Sequence, residues 1–170
     1  MNRPLLIFKI KFFAYYVILE VFNMNIQKAI AHIKGSREYP TLHGTVTLKQ
    51  TRKGVLVTAH IYGLPDNNED KTGVFAFHIH NGMSCTGTRE DSFADASIHY
   101  NPKNAVHPYH AGDLPPLFSN NGYAYMSVLT NRFNLREIIG RVIVIHRNVD
   151  DFTTQPTGNA GAKIACGKII

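Results

Sequence analysis

The sequence predicts an all-β chain, an antiparallel β-sandwich or flattened barrel. Three observations predict it. Short β-prone runs follow one another from residue 26 onward, with turn residues between them. Thirteen glycines and eight prolines among 170 residues favour many turns over long helices. One run, Val55-Leu-Val-Thr-Ala-His-Ile-Tyr62, alternates cleanly and puts Val55, Val57, Ala59 and Ile61 on one face, as a half-buried strand should.

Taken in order, the expected strands are 26–33, 44–49, 55–62, 73–80, 123–129, 141–146 and 163–169. Gly63-Leu-Pro65 and Asp66-Asn-Asn68 carry turn chemistry between the third and fourth. A short helical turn is expected near Leu135–Ile139, ahead of Gly140. Segments 81–122 and 147–162 lack strand pattern and are rich in Gly, Pro, Asn, His and Asp. Loops of that length in a compact domain usually carry function. There are no repeats, and the length suits one domain.

The first 23 residues differ from the rest. They are rich in Phe, Tyr, Ile and Leu, yet contain Arg3, Lys9, Lys11 and Glu20. The uncharged run from Phe12 to Leu19 is far shorter than the roughly 20 residues needed to span a bilayer. We therefore expect no stable membrane span. Residues 1–23 are expected to be an extension or an atypical targeting segment, and residues 24–170, from Met24, the functional domain. The net charge of +6 is not gathered into a basic tract and no nucleic-acid motif accompanies it, so no nucleic-acid partner is expected.

His78-Ile79-His80 closes the strand-like run Gly73-Val-Phe-Ala-Phe77. Side chains two apart on a strand share a face, so both imidazoles can reach one metal ion while Phe77 and Ile79 face the other way. An isolated His-x-His carries little by itself, but more histidines gather in and beside the long loops. His99, His107, His110 and Asp113 fall within fifteen residues and can surround one Zn²⁺ tetrahedrally. His146 ends the run Val142-Ile-Val-Ile145 and can join His78 and His80, and histidine-only ligation suits Cu(II). His32, His43 and His60 read as ordinary surface or packing residues. Cys85 and Cys166 are either two buried thiols or one disulfide closing a long loop.

These residues, in this order, resemble the copper–zinc superoxide dismutases over about residues 25–170, with bacterial members the nearer match. The closing segment Gly158-Asn-Ala-Gly-Ala-Lys-Ile-Ala-Cys166-Gly167 resembles the family signature. The resemblance implies a Greek-key barrel of about eight strands with two functional loops. It implies copper held by His78, His80, His99 and His146, and zinc held by His99, His107, His110 and Asp113, with the imidazolate of His99 as bridge. Asp150 matches the carboxylate that joins a copper-side histidine to a zinc-side one, and Cys85 and Cys166 match the family's intrasubunit disulfide. The implied reaction converts superoxide anion to dioxygen and hydrogen peroxide, with His99 taking up and returning a proton.

Three departures from the family pattern matter. Only Pro108 and Tyr109 separate His107 from His110, so the zinc loop is shortened. Lys163 stands where the family has an arginine that guides superoxide. Lysine keeps the positive charge but lacks the planar fork for two hydrogen bonds. The loop from Cys85 to His99 is long, as in bacterial members. A homodimer is allowed by the resemblance but not required by it. The rival reading is a non-catalytic copper carrier or buffer on the same scaffold, and a copper-only dismutase follows if the shortened loop fails to bind zinc. The cupins also use His-x-His on a barrel, but they place a glutamate shortly after it, and Asn81-Gly-Met-Ser-Cys85 offers none. Location is expected to be cytoplasmic, or extracytoplasmic if residues 1–23 act as an export segment.

Overall fold

The computed structural model describes residues 26–65 and 72–170. The expected extension 1–23, the Met24 start and the turn at 66–68 lie outside the described residues. Nine strands are described: β1 (Lys28–Gly35), β2 (His43–Thr51), β3 (Gly54–Tyr62), β4 (Thr72–Phe75), β5 (Phe77–His80), β6 (Leu117–Asn120), β7 (Ala124–Thr130), β8 (Val142–His146) and β9 (Lys163–Lys168). One helical turn, α1 (Leu135–Ile138), lies at the expected place. It is held by Gln50, whose Oε1 accepts from Leu135 N at 2.9 Å, and by Glu137, whose Oε2 accepts from Asn134 N at 2.8 Å. No helix among the described residues is long and apolar enough to cross a membrane.

Seven strands form one antiparallel sheet in the order β5-β8-β9-β1-β2-β3-β7, and β4 pairs with β6 in a short second ribbon. The sheet curls because each inward face must be buried on the others. Ala29, Ala31 and Ile33 of β1, Val46 and Leu48 of β2, and Leu117 of β6 meet in one core. The alternation expected in β3 is observed: Val55, Val57, Ala59 and Ile61 are all fully buried.

Two expectations need correction. The single strand expected over 73–80 is two strands, because the chain changes sheet at Ala76. There Ala76 N donates to Asn148 O at 2.8 Å and Ala76 O accepts from His146 N at 2.9 Å. The segment 81–122, read as wholly irregular, contains β6. Its four residues are too few for alternation to show, and pairing with β4 is what makes them a strand.

The sheet change at Ala76 positions the His78 and His80 pair. It delivers the end of the strand, β5, to the edge of the large sheet beside β8. All residues of β5 and β8 are buried, because the two long loops cover the face that the barrel interior does not. The 99–113 stretch is tied directly to β5: Tyr100 N donates to Ile79 O at 2.8 Å, and Ile79 N donates to Gly112 O at 2.9 Å.

Candidate metal centre

Phe77 and Ile79 of β5 enter the main core, so His78 and His80 turn together to the opposite face, under the loops. His146 follows a register shift in the β8–β9 ladder between Ile145 and His146. A bulge of this kind re-aims the side chain that follows it. His99 comes from the loop and bridges to His80 across the edge of β5. The result is that His78, His80, His99 and His146 each offer a ligand atom within 4.8 Å of the others. His99, His107, His110 and Asp113 do the same, so His99 belongs to both groups. All seven residues are buried.

The hydrogen bonds fix which nitrogen of each ring is free. Burial would raise the carboxyl of Asp150, but bonds from His78, Phe152 N and His107 overcome this and hold it far below its usual range. Asp150 is therefore an ionised acceptor. His78 Nε2 donates to its Oδ2 and His107 Nε2 to its Oδ1, both at 2.8 Å. A neutral imidazole carries one proton, so both Nδ1 atoms are left as lone pairs. Neither has a hydrogen-bond partner although both are buried. His107 Nδ1 lies 3.1 Å from Asp113 Oδ2, but with the proton on Nε2 it has none to give.

His80 Nδ1 donates to Ser97 O at 2.9 Å, and His146 Nδ1 donates to Gly161 O at 3.1 Å. Carbonyl oxygens only accept, so these rings carry their lone pairs on Nε2. Those two Nε2 atoms face each other at 3.1 Å. Two neutral lone pairs at that distance repel unless a cation lies between them. Burial holds the imidazoles of His78 and His80 below the usual histidine range, and that of His146 at about 3, with neighbouring imidazoles pushing the same way. These rings are neutral at pH 7, as metal ligation requires.

His99 Nδ1 lies 2.9 Å from Asp113 Oδ1 and 3.4 Å from His110 Nδ1, which leaves Nε2, buried and without a partner, for the four-histidine group. The shortened spacing does not part the other two histidines. Asp113 Oδ2 lies 3.1 Å from His107 Nδ1 and 3.3 Å from His110 Nδ1, and it also accepts from His110 N at 3.0 Å. One carboxylate thus collects three imidazoles. Burial would raise its carboxyl, but the bond from His99 together with the charges of His99, His110 and His78 outweighs this and holds it below the usual carboxylate range. Three imidazoles and a carboxylate fit zinc, and four imidazoles fit copper.

A cleft of about 480 Å³ reaches this centre from solvent, with His80, His99 and His146 in its lining and Arg89, Asp91 and Lys163 beside them. Lys163 opens β9 on the cleft wall, and its Nζ is bonded to Asp91 Oδ2. Asp91 belongs to the loop that Cys85 and Cys166 tie to β9 by a disulfide, with Cα atoms 5.6 Å apart. Phe93 and Ala96 of that loop pack against Val142, Val144 and Cys166. His32 and His43 are exposed, and the half-buried His60 bonds Tyr123 Oη through Nδ1 at 3.1 Å, so all three stay away from the centre.

Sequence reasoning passed over three residues near this centre. Asp91 neutralises Lys163 from 72 residues away. Arg132 donates to carbonyls of the loop that carries His110 and Asp113. Gly158, at φ +66°, sits where a Cβ would lie 2.0 Å from Asp150 Oδ1 and 2.6 Å from His107 Nε2. The glycine lies in the stretch Gly158-Asn-Ala-Gly161, which carried part of the resemblance, but no spacing in the chain marks Asp91 or Arg132.

Comparison with known proteins agrees with this chemistry. The family model described as copper/zinc superoxide dismutase matches residues 42–169. A superoxide dismutase [Cu-Zn] of Photobacterium leiognathi is 36% identical over 140 residues, covering 74% of this chain and 78% of that protein. One of Legionella pneumophila is 35% identical over 138 residues, covering 76% and 79%. Among solved structures, a double mutant of a SOD-like protein from Bacillus subtilis superimposes with a TM-score of 0.66 at 27% identity, covering 82% of this chain and 95% of that one.

Proposed function

The chain belongs to the copper/zinc superoxide dismutase family, and we propose that it disproportionates superoxide with His78, His80, His99 and His146 holding copper and His99, His107, His110 and Asp113 holding zinc. The observation that carries this assignment is the division of His99, which turns Nδ1 to the carboxylate group and leaves Nε2 to the imidazole group. Copper, when bound, supplies the one-electron couple that oxidises one superoxide to dioxygen and reduces the next to peroxide, while zinc fixes the shared ring.

The chain's own residues do the rest. Asp150 fixes the tautomers of His78 and His107 at once, so it couples the two halves of the centre through hydrogen bonds. Asp113 sets the orientation of the His99 ring. His99 Nε2 is the atom that takes a proton and passes it to the departing peroxide. The cleft admits a small anion to the floor formed by His80, His99 and His146, and Lys163, in the place of the family's arginine, lies on its wall.

A copper carrier would expose its ligands for exchange, whereas the four copper-side imidazoles are at most 4% exposed. The dismutase reading is therefore the one favoured over carrier or buffer. Metal analysis of purified protein with a dismutase assay tests it: one copper and one zinc per chain with activity are expected. His78→Ala and His146→Ala should each lose copper and activity, and retained activity in either would overturn the ligand assignment.

The domain of the proposal is residues 24–170. Its location is cytoplasmic, or extracytoplasmic if residues 1–23 act as an export segment. N-terminal sequencing of the protein recovered from each cell fraction separates the two. Sedimentation velocity reads out whether the native protein is the homodimer that the resemblance allows.

A further inference from the structure

Arg132 lies in the short connection between β7 and α1, outside both the loop that carries the zinc-side residues and the strands that carry the copper-side ones. Its Nη1, which carries two N–H groups, lies within hydrogen-bond distance of three backbone carbonyls, so that one N–H is shared between two of them: Pro108 O at 3.1 Å, His110 O at 3.2 Å and Asp113 O at 3.1 Å. These three oxygens belong to the stretch that supplies His107, His110 and Asp113. Carbonyls of a loop on the surface are normally left to water or to their own turn. Here one guanidinium draws three of them to a single point.

The rest of the stretch has few ties of its own. Backbone bonds within it are Tyr109 N to Val106 O at 2.8 Å and a long one from Asp113 N to His110 O at 3.3 Å. It is anchored at its ends, by Gly112, which bonds Tyr100 O and Ile79 N, by the bridge of Asp113 to His78, and by Gln155, which bonds His107 N and O. Between those anchors the spacing of two residues from His107 to His110, and two more to Asp113, leaves little chain to close around an ion. Imidazoles carried by so short a turn must be aimed by the backbone, since the chain between them has no slack to correct an error.

We propose that Arg132 is a positioning residue for the zinc half of the centre, a clamp that gathers the carbonyls of Pro108, His110 and Asp113 and so holds the short loop in the shape that presents His107, His110 and Asp113 together. This rests on the zinc assignment above. Arg132 touches neither a ligand atom nor the cleft. Its Nη1 is carried on a rigid planar head, whereas a lysine ammonium at the end of a flexible stem is placed less firmly.

The test uses the full chain freed of metal. Zinc and copper affinities are measured separately by competition with a chromophoric chelator, for wild type, Arg132→Met, Arg132→Lys and Lys53→Met as a control for loss of one exposed charge. Removing partners that orient ligands typically lowers metal affinity by roughly 10–100-fold. Arg132→Met is expected to lose about tenfold in zinc affinity, with copper affinity within about twofold of wild type, and Arg132→Lys to fall between. The control should bind zinc as wild type does. A residue that merely stabilised the fold would lower both affinities together, so parallel losses would overturn the proposal. Unchanged zinc affinity in Arg132→Met would overturn it too. Should that variant fail to fold, Arg132→Lys decides, and zinc affinity equal to wild type counts against the clamp. Wild type that binds no zinc would remove the zinc assignment itself, whereas normal binding in both wild type and Arg132→Met removes only the role of Arg132.

Discussion

Lys163 occupies the cleft wall as an ammonium already bonded to Asp91, and that single contact changes what its charge can do. A cation near a carboxylate presents a weakened field to an approaching anion, so in the proposed reaction the pair would guide superoxide less than a lone lysine would. Asp91→Asn is therefore expected to raise kcat/KM for superoxide about two- to threefold at low ionic strength and to steepen its fall with salt, since screening acts on the charge released. Lys163→Glu should slow the reaction, leaving two carboxylates on the wall. Stopped-flow or pulse-radiolysis rates across a salt series read both, and an Asp91→Asn enzyme no faster than wild type would remove Asp91 from this role. At Gly158 a different constraint applies. Gly158→Ala would drive a methyl group into Asp150 and His107 and oppose a backbone at φ +66°. Roughly tenfold weaker zinc binding is expected, read by chelator competition, because Asp150 loses its hold on the His107 tautomer.

At the scale of elements, the strand β5 and the loop stapled by the disulfide carry the centre between them. β5 is rigid because Phe77 and Ile79 are locked in the core on one side. The loop is held by Cys85–Cys166 and by the small cluster of Phe93 and Ala96 on β8 and β9. The bridge joins residues 81 apart, so in the chain-entropy model it stabilises by about 4 kcal/mol. Cys85→Ser should lower stability by an amount of that order, measured by denaturant unfolding of the metal-free protein. It should also loosen the loop that carries Asp91 and Ser97, and with Ser97 the carbonyl that fixes the His80 tautomer. Copper affinity should fall along with stability in this variant. A Cys85→Ser protein as stable as wild type would show that the small cluster holds the loop without the staple.

For the whole molecule, burying several imidazoles and two carboxylates in one place sets how the metal-free protein responds to acid. His146 is held at about 3, and His78 and His80 are also lowered, below an unfolded value near 6.5. Between those limits the unfolded chain binds more protons than the folded one, so stability rises with pH and is lost as pH falls below about 6.5. Asp113 and Asp150 act in the same direction at lower pH. Their folded values are depressed, so their contribution is present above about 4 and is lost as pH falls further. By pH 5 His146 alone accounts for about 2 kcal/mol. Denaturant midpoints of metal-free protein should drop steadily from pH 7.5 to pH 5, and a flat profile would contradict the neutral, buried histidines. Metal should delay the loss, because protons must then compete with the bound ion for the same nitrogens.

The sequence by itself determined the β class, the inward face of β3, the identity and order of the metal-binding candidates and the pair of cysteines. These rest on alternation along a strand and on the chemistry of side chains in chain order, both of which are local. It did not show the change of sheet at Ala76 or the four-residue strand β6, because those depend on which neighbour is available to pair. Tertiary structure alone decided which nitrogen of each histidine is free, that the short loop still brings His107 and His110 to Asp113, that Asp91 neutralises Lys163, and that Arg132 gathers the carbonyls of that loop. Each of these is a contact between segments far apart in the chain, set by the curl of the sheet and the drape of two loops over it, and no periodicity or spacing encodes such a meeting.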